Sequence, residues 1–365
     1  MDRLLFEKLI SRDWSLMFCE DLHTVNTKEM KKQFDWNYSE MVFEGKEGVV
    51  NIYCSPEEQT QGLTNIFIKK VEQNKDWVFE RNQKIKEQVK SIREILNKFK
   101  VKQIDEFSNK ELLGLLELLS KMNIESHAYY AIMVWVPINM EKEGIITKYR
   151  LFVDEIIKTR AEIQDVKPLI DYAYLTTASL ILKKANLQPN LAKYVSFKDV
   201  FNYLNENKMI DEDVIMARKN YYILTNEGIL LESINDYLNS HDYEIIIETK
   251  TGESQIVKGG PASPGEATGY ARIVLNREMF GKVEYGDIII AHMTTPDFIE
   301  VIKKASAIIT DEGGITCHAA IICLEFNMPC IVGTKNATKV FKDGDWVYVN
   351  ATKGFAEKIR SPAPS

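Results

Sequence analysis

The spacing of apolar residues changes along the chain from a helical to a strand-like pattern. From about residue 60 to 245, apolar positions recur mostly every three or four residues, the spacing of an amphipathic helix. One long segment repeats this spacing without interruption at Ile85, Val89, Ile92, Leu96 and Phe99. The region therefore predicts a mostly helical domain that contains one long amphipathic helix.

Two serines carry the signature of a helix start. Ser108 and Ser196 are each followed three residues later by a carboxylate, Glu111 and Asp199 respectively. In such a capping box the serine hydroxyl accepts a hydrogen bond from the first helical turn, and the carboxylate accepts one from the serine N–H. Both serines are predicted to cap helices. In contrast, the alternating apolar residues and glycines of residues 36–57 predict a short β-hairpin.

The pattern changes near residues 258–261, Lys-Gly-Gly-Pro, after which glycine, proline and short β-branched runs become frequent. Beyond this point we predict strands at 269–275, 287–291, 307–310, 330–332 and 345–350, and helices at 297–304 and 316–326. We therefore expect a multidomain α+β protein, with a mainly α-helical domain over residues 1–250 and a second, mixed domain over residues 256–360.

Composition narrows the classes of partner. The 365 residues are 45% hydrophobic, enough for packed cores, and the net charge of −7 comes from interleaved acidic and basic residues. No basic face indicates nucleic acid, and no apolar run is long enough to span a membrane. Five scattered cysteines fit a reducing cytoplasm better than a disulfide framework. We expect a cytoplasmic protein whose partners are small molecules or other proteins.

One histidine stands in a setting suited to chemistry. The apolar run 305–310 leads into the paired glycines Gly313 and Gly314, and Thr316 can cap a helix that would hold His318 in its first turn. A helix N-terminus favours neutral imidazole over imidazolium and also favours a bound anion, so both effects suit a phosphoryl carrier. A lone histidine there is most often an ordinary surface residue, but the glycine pair and the capped helix favour a functional one.

The run 313–322, Gly-Gly-Ile-Thr-Cys-His-Ala-Ala-Ile-Ile, resembles the phosphohistidine signature of phosphoenolpyruvate (PEP)-utilising enzymes such as PEP synthase and pyruvate phosphate dikinase. The resemblance covers roughly residues 256–358. It includes the segments 261–269, 294–297, 328–333 and 343–345.

The resemblance implies a swivelling β/β/α domain whose histidine is phosphorylated at one site and discharged at another. His318 takes the place of that histidine, and Thr316 takes the place of a threonine that bonds the ring or its phosphate. Gly313, Gly314 and Cys317 would then belong to the phosphate loop. One position departs from the pattern, because Leu324 stands where many members have an arginine that could help to hold phosphate.

Family members that run a whole reaction also have an ATP-grasp domain and often a PEP-binding barrel, and neither pattern is found in this sequence. The resemblance thus implies an incomplete phosphotransferase whose donor site is an ATP-grasp partner, which would hold ATP and Mg²⁺, or a PEP site. A small-molecule acceptor would then bind near the helical domain, and no cofactor is assigned to this chain itself. The alternative is a binding or regulatory module that keeps the fold without phosphoryl transfer.

Other candidates are weaker. Gly259 and Gly260 form either an ordinary turn or the hinge of the swivelling domain, and the resemblance favours the hinge. His127 lies in an apolar helical stretch, where core packing is favoured over a role in an acceptor pocket. His292 is assigned no role. Cysteines 317, 323 and 330 lack the closely paired spacing of zinc ligands, so no metal site is predicted.

Overall fold

A computed structural model describes residues 4–46, 48–101, 107–245, 256–314 and 317–361. The chain divides into two compact units. The N-terminal unit comprises Met1–Leu9 with Trp14–Ile246, and the C-terminal unit comprises Ile10–Asp13 with Ile247–Ser365.

Helices dominate the N-terminal unit, which confirms the prediction of a mostly helical first domain. They are α1 (Leu16–Thr24), α2 (Met30–Phe34), α3 (Leu63–Gln73), α4 (Trp77–Val101), α5 (Asn109–Lys142), α6 (Arg150–Ile163), α7 (Val166–Lys184), α8 (Phe197–Glu206), α9 (Glu212–Asn220) and α10 (Ile234–Ser240). Both predicted capping boxes form, at Ser108 with Glu111 and at Ser196 with Asp199. In the described part of the chain, no helix is long and apolar enough to cross a membrane.

The N-terminal unit also contains a six-stranded sheet. Its strands are β1 (Leu4–Arg12), β2 (Met41–Lys46), β3 (Val49–Cys54), β4 (Tyr221–Thr225), β5 (Gly228–Leu230) and β6 (Tyr243–Ile245), in the order β5-β4-β2-β3-β1-β6. The predicted hairpin is β2 with β3, paired antiparallel. The other four strands were missed in the sequence. Of these, β5 and β6 are only three residues long, and β4 is almost fully buried, so it lacks the alternation of a half-exposed strand.

A buried polar network crosses the helical core of the N-terminal unit. The carboxylate of Asp21, which is 2% exposed, accepts hydrogen bonds from Ser120 (2.5 Å), Tyr174 (2.7 Å) and Asn123 (2.8 Å). Asn123 in turn accepts a hydrogen bond from the ammonium group of Lys167 at 2.9 Å. Burial raises the pKa of Asp21 to about 6 and lowers that of Lys167 to about 7. At neutral pH Lys167 is therefore only partly charged, whereas Asp21 stays mostly ionised.

The C-terminal unit is built on an eight-stranded sheet with the order β7-β14-β13-β9-β10-β11-β12-β8. Strands β9 to β12 are parallel neighbours, and the others pair antiparallel. The elements are β7 (Ile256–Lys258), β8 (Gly260–Ser263), β9 (Glu266–Ile273), β10 (Ile288–Ala291), α11 (Ile299–Ile302), β11 (Ala307–Thr310), α12 (His318–Glu325), β12 (Cys330–Val332), α13 (Ala337–Val340), β13 (Trp346–Asn350) and β14 (Phe355–Lys358).

The five strands predicted in this region all form, within three residues of their predicted ends. The helix predicted over 297–304 is shorter, since a 3₁₀ turn occupies Pro296–Phe298 before α11 begins. Two hydrophobic clusters cover the sheet: Ile289 and Ile308 belong to the one that includes α12, whereas Ile288 and Ile290 belong to the other. Adjacent residues of one strand thus pack on opposite faces of the sheet, because side chains alternate along a β-strand.

Gly269 in β9 has no room for a side chain. A Cβ there would lie 2.2 Å from the carbonyl oxygen of Gly286. We expect Gly269→Ala to lower the free energy of unfolding by about 3 kcal/mol, because backbone must move to admit the methyl group. Gly281→Ala is the matched control, since a Cβ at Gly281 would meet nothing within 4 Å. Urea unfolding followed by circular dichroism measures both; equal stability of the two variants would contradict this close packing of β9.

Candidate phosphohistidine site

Two loops meet where the parallel strands β10 and β11 end. The strands pair in register, with Ala291 opposite Thr310, so both chains leave the sheet at the same edge. Loops that follow the carboxyl ends of parallel strands are the usual position of ligand sites in α/β sheets. The loop after β10 carries Thr294, and the loop after β11 leads through Gly313 to His318.

His318 is the first residue of α12. Its Nδ1 lies 2.9 Å from the hydroxyl oxygen of Thr294, a residue that is only 2% exposed. Among the described residues, no side chain bonds Nε2 of His318. In the described part of the chain, the ring is therefore held by a side chain through Nδ1 alone.

The predicted cap of this helix, Thr316, lies outside the described residues together with Ile315. The cap position is held by Cys317, whose side chain makes no capping hydrogen bond. The N–H groups of the first turn have no acceptor within the helix, which is the general property of a helix start. They can thus stabilise negative charge placed beside His318.

Burial lowers the pKa of His318 below its ordinary value. The carboxylates of Asp297 and Glu325 act in the opposite direction and offset that effect only in part. The imidazole is therefore mostly neutral at neutral pH. A neutral ring has a lone pair on one nitrogen and is the nucleophilic form.

The two loop glycines differ in their roles. Gly313 adopts a φ of +104°, and a Cβ there would lie 2.9 Å from the sulfur of Cys317, so this position requires glycine. Gly314 does not adopt a positive φ. Its carbonyl accepts a hydrogen bond from the N–H of Cys317 at 2.9 Å. Cys317 thus closes the turn that leads into α12.

Gly259 lies between β7 and β8, and Gly260 is the first residue of β8, within the sheet of the C-terminal unit. The N–H of Gly259 donates to the carbonyl of Gly354 at 2.9 Å, and a Cβ there would lie 2.6 Å from the carbonyl oxygen of Val332. Gly260 pairs with Val332 across β8 and β12. These contacts require a small residue at position 259 for packing; the hinge role of the two glycines stays a prediction.

The position of the family's arginine is at the surface. Leu324 is 52% exposed on α12, whereas its neighbour Cys323 is fully buried. An arginine at this place would be free to reach a ligand, but leucine has no charge to offer. The described part of α12 therefore brings no cation to the ring of His318.

Comparison with known proteins agrees with this geometry. Residues 283–354 match the family described as "PEP-utilising enzyme, mobile domain". This stretch of the C-terminal unit is therefore similar to the mobile domain of PEP-utilising enzymes. The match includes both loops and α12, so the site around His318 lies within the mobile domain.

The mobile domain is also similar to that of PEP synthases. Over 114 residues, 30% of this chain, it is 48% identical to a probable PEP synthase of Archaeoglobus fulgidus, of which it covers 15%. A probable PEP synthase of Methanothermobacter thermautotrophicus is 47% identical over 108 residues, 29% of this chain and 16% of that protein. The PEP synthase of Pyrococcus furiosus is 47% identical over 103 residues, 28% of this chain and 13% of that protein. The chain thus matches less than a fifth of each relative's length.

The sequence did not identify Thr294 as a site residue. Thr294 stands 24 positions before His318 and joins it only through the fold of the mobile domain. The signal that could have found it is the segment 294–297, which belongs to the family pattern although no residue in it was given a role.

Because burial lowers the pKa of His318, the neutral form should persist below the ordinary histidine pKa of about 6.5. Removing a carboxylate that favours the charged form should lower the pKa further, so we expect a downward shift in Asp297→Asn. A nuclear magnetic resonance titration of labelled histidine rings measures this. His241→Asn provides the assignment control, since loss of its signal must leave the His318 curve unchanged. An upward shift in Asp297→Asn would contradict a stabilising effect of this carboxylate on the imidazolium.

Proposed function

We propose that this protein is a phosphotransferase component in which Nε2 of His318 carries a phosphoryl group from a donor site to an acceptor. The observation that supports this most directly is the hydrogen bond between Thr294 and Nδ1 of His318 at 2.9 Å. With the proton on Nδ1 and the threonine oxygen as its acceptor, the lone pair of the neutral ring resides on Nε2.

The transfer needs little covalent machinery from this chain. The Nε2 lone pair attacks the phosphorus atom of the donor, a P–N bond forms, and the P–O bond to the leaving group breaks, with that oxygen keeping the electron pair. In the second step an acceptor oxygen attacks the same phosphorus atom and the P–N bond breaks. His318 thus regains its lone pair, and the proton on Nδ1 remains in place throughout.

Negative charge on the carried group requires stabilisation. The N–H groups of the first turn of α12 supply part of it, and Gly313 allows the loop backbone to approach closely. Leu324 supplies none, so we assign the remaining positive charge to the donor and acceptor sites. The donor site is an ATP-grasp polypeptide with ATP and Mg²⁺, or a PEP site. The matched relatives are named for PEP.

The N-terminal unit is the proposed binding platform for the partner or for a small-molecule acceptor. All five cysteines are free, which supports our assignment to a reducing cytoplasm. His127 is not proposed as an acceptor residue: its Nδ1 is buried, and burial holds the pKa of the ring well below the ordinary value. The ring packs against Tyr130 with a centroid distance of 5.4 Å, as expected for a core residue.

The exposed Leu324 favours a second candidate, a binding or regulatory module that keeps the mobile-domain fold without transfer. The two functions make different demands on His318. A regulatory module needs the fold and its surface, whereas a carrier needs the Thr294 hydrogen bond and a nucleophilic Nε2.

Phosphorylation can be tested without knowing the partner. Phosphoramidate phosphorylates nucleophilic imidazoles directly, so the full chain should acquire an acid-labile P–N signal in ³¹P spectra, and His318→Ala should lose it. A label that persists in His318→Ala would contradict the assignment, and absence of the label in the wild-type chain would favour the regulatory module. Radiolabelled ATP with co-expressed ATP-grasp proteins, and PEP in a parallel reaction, then identify the donor.

Thr294→Val tests the hydrogen bond alone, because valine keeps the shape of threonine and removes the hydroxyl. We expect phosphorylation by phosphoramidate to slow about tenfold, the effect of one hydrogen bond of about 1.4 kcal/mol. Thr294→Ser, which keeps the hydroxyl, should react within about threefold of the wild-type rate. Equal rates for the valine and serine variants would show that the hydroxyl does not act.

A further inference from the structure

We propose that Asp311 is a positioning residue that, through His292, holds the hydroxyl of Thr294 against Nδ1 of His318 and so selects the ring tautomer with a nucleophilic Nε2. The inference rests on the proposed phosphoryl transfer for its purpose. Its geometry is independent of that function, because every contact involved lies within the mobile domain.

Asp311 is a buried carboxylate, 6% exposed, surrounded by donors. One oxygen accepts hydrogen bonds from the backbone N–H of Thr338 (3.1 Å) and from the hydroxyl of Thr334 (3.3 Å). The other accepts from Nδ1 of His292 (3.1 Å) and from the hydroxyl of Thr338. Four donors thus converge on one carboxylate from α13, from the loop after β12 and from the loop after β10.

These donors keep Asp311 ionised. Burial by itself raises the pKa of Asp311, but the hydrogen bonds from His292 and Thr338 outweigh it and leave the pKa below its ordinary value. An ionised carboxylate can only accept hydrogen bonds, so Nδ1 of His292 must carry the proton that it shares with Asp311. The orientation of the His292 ring is therefore fixed by Asp311.

Backbone hydrogen bonds also hold the segment that contains His292. Beyond the paired ends of β10 and β11, the N–H of Asp311 donates to the carbonyl of Ala291 at 3.0 Å, and the N–H of Glu312 donates to the carbonyl of His292 at 2.9 Å. His292 is thus held by its ring and by its carbonyl. Thr294 follows two residues later and makes the contact with His318.

The hydrogen bond at His318 is sensitive to small displacements. Its length of 2.9 Å is close to the optimum, and a shift of the hydroxyl by about half an ångström would weaken it substantially. A neutral imidazole that loses this partner is free to place its proton on either nitrogen. A proton on Nε2 would occupy the lone pair that the transfer requires. The series of contacts from Asp311 through His292 to Thr294 therefore controls the reactivity of His318 without touching the phosphoryl group.

The experiment is a double-mutant cycle. His292→Leu removes the donor to Asp311, and His292→Asn replaces it with an amide N–H. Each is made in the wild-type chain and in Thr294→Val. Two quantities are measured at about pH 8, which is above the ordinary histidine pKa of about 6.5. The first is the fraction of His318 that has its proton on Nδ1, obtained from ring ¹⁵N chemical shifts. The second is the rate of phosphorylation by phosphoramidate. The chain has only five histidines, and His318→Ala assigns the signal.

We expect His292→Leu to lower the Nδ1-protonated fraction and to slow phosphorylation about tenfold, and His292→Asn to restore most of both. In the Thr294→Val background, His292→Leu should have no further effect, because the proposed route through the Thr294 hydroxyl is already removed. An unchanged tautomer in His292→Leu, or an equal loss in both backgrounds, would overturn the proposal. If the tautomer shifts as expected while no variant is phosphorylated, the positioning role stands and the proposed function fails.

Discussion

Parallel, in-register pairing of β10 with β11 is the constraint on which the site depends. It brings two loops from separate parts of the sequence to one edge of the sheet. There a hydrogen bond between the Thr294 hydroxyl and the His318 ring joins the two loops. Thr294 and His318 could not meet without it, since neither residue belongs to a strand. The interior of the sheet is therefore as much a part of the site as the loops, because any slip in register would separate the hydroxyl from the ring.

Local signals in the sequence were sufficient for several parts of the structure. The capping boxes at Ser108 and Ser196, the hairpin of β2 and β3 and the strands of the mobile domain all depend on neighbours within a few residues, so spacing and residue type reveal them. Asn327, just after α12, obeys a local rule of the same kind, since it has a φ of +50°, a left-handed conformation that asparagine tolerates after a helix. Predictions failed where partners are distant in sequence, as for the six-stranded sheet and for Thr294.

The pKa of a buried carboxylate is raised in the N-terminal unit and lowered in the C-terminal unit. Asp21 accepts three hydrogen bonds in the N-terminal unit, yet burial dominates and its pKa rises. Asp311 in the mobile domain is supplied with more donors, including a backbone N–H and a histidine, and its pKa falls. The difference follows from the number and kind of donors together with depth, since Asp21 is the more deeply buried of the two. An ionised carboxylate such as Asp311 fixes the orientation of its donors, because it can only accept hydrogen bonds.

The strands β7 and β14 of the C-terminal unit are neighbours in its sheet, paired antiparallel between Ile256 and Glu357. The first and last strands of this eight-stranded sheet in chain order therefore lie side by side at one edge. A domain of this kind can be joined to different companions in evolution without disturbing its interior, because both attachment points move together. That architecture accounts for a segment that matches relatives at 47–48% identity while covering only 13–16% of their length.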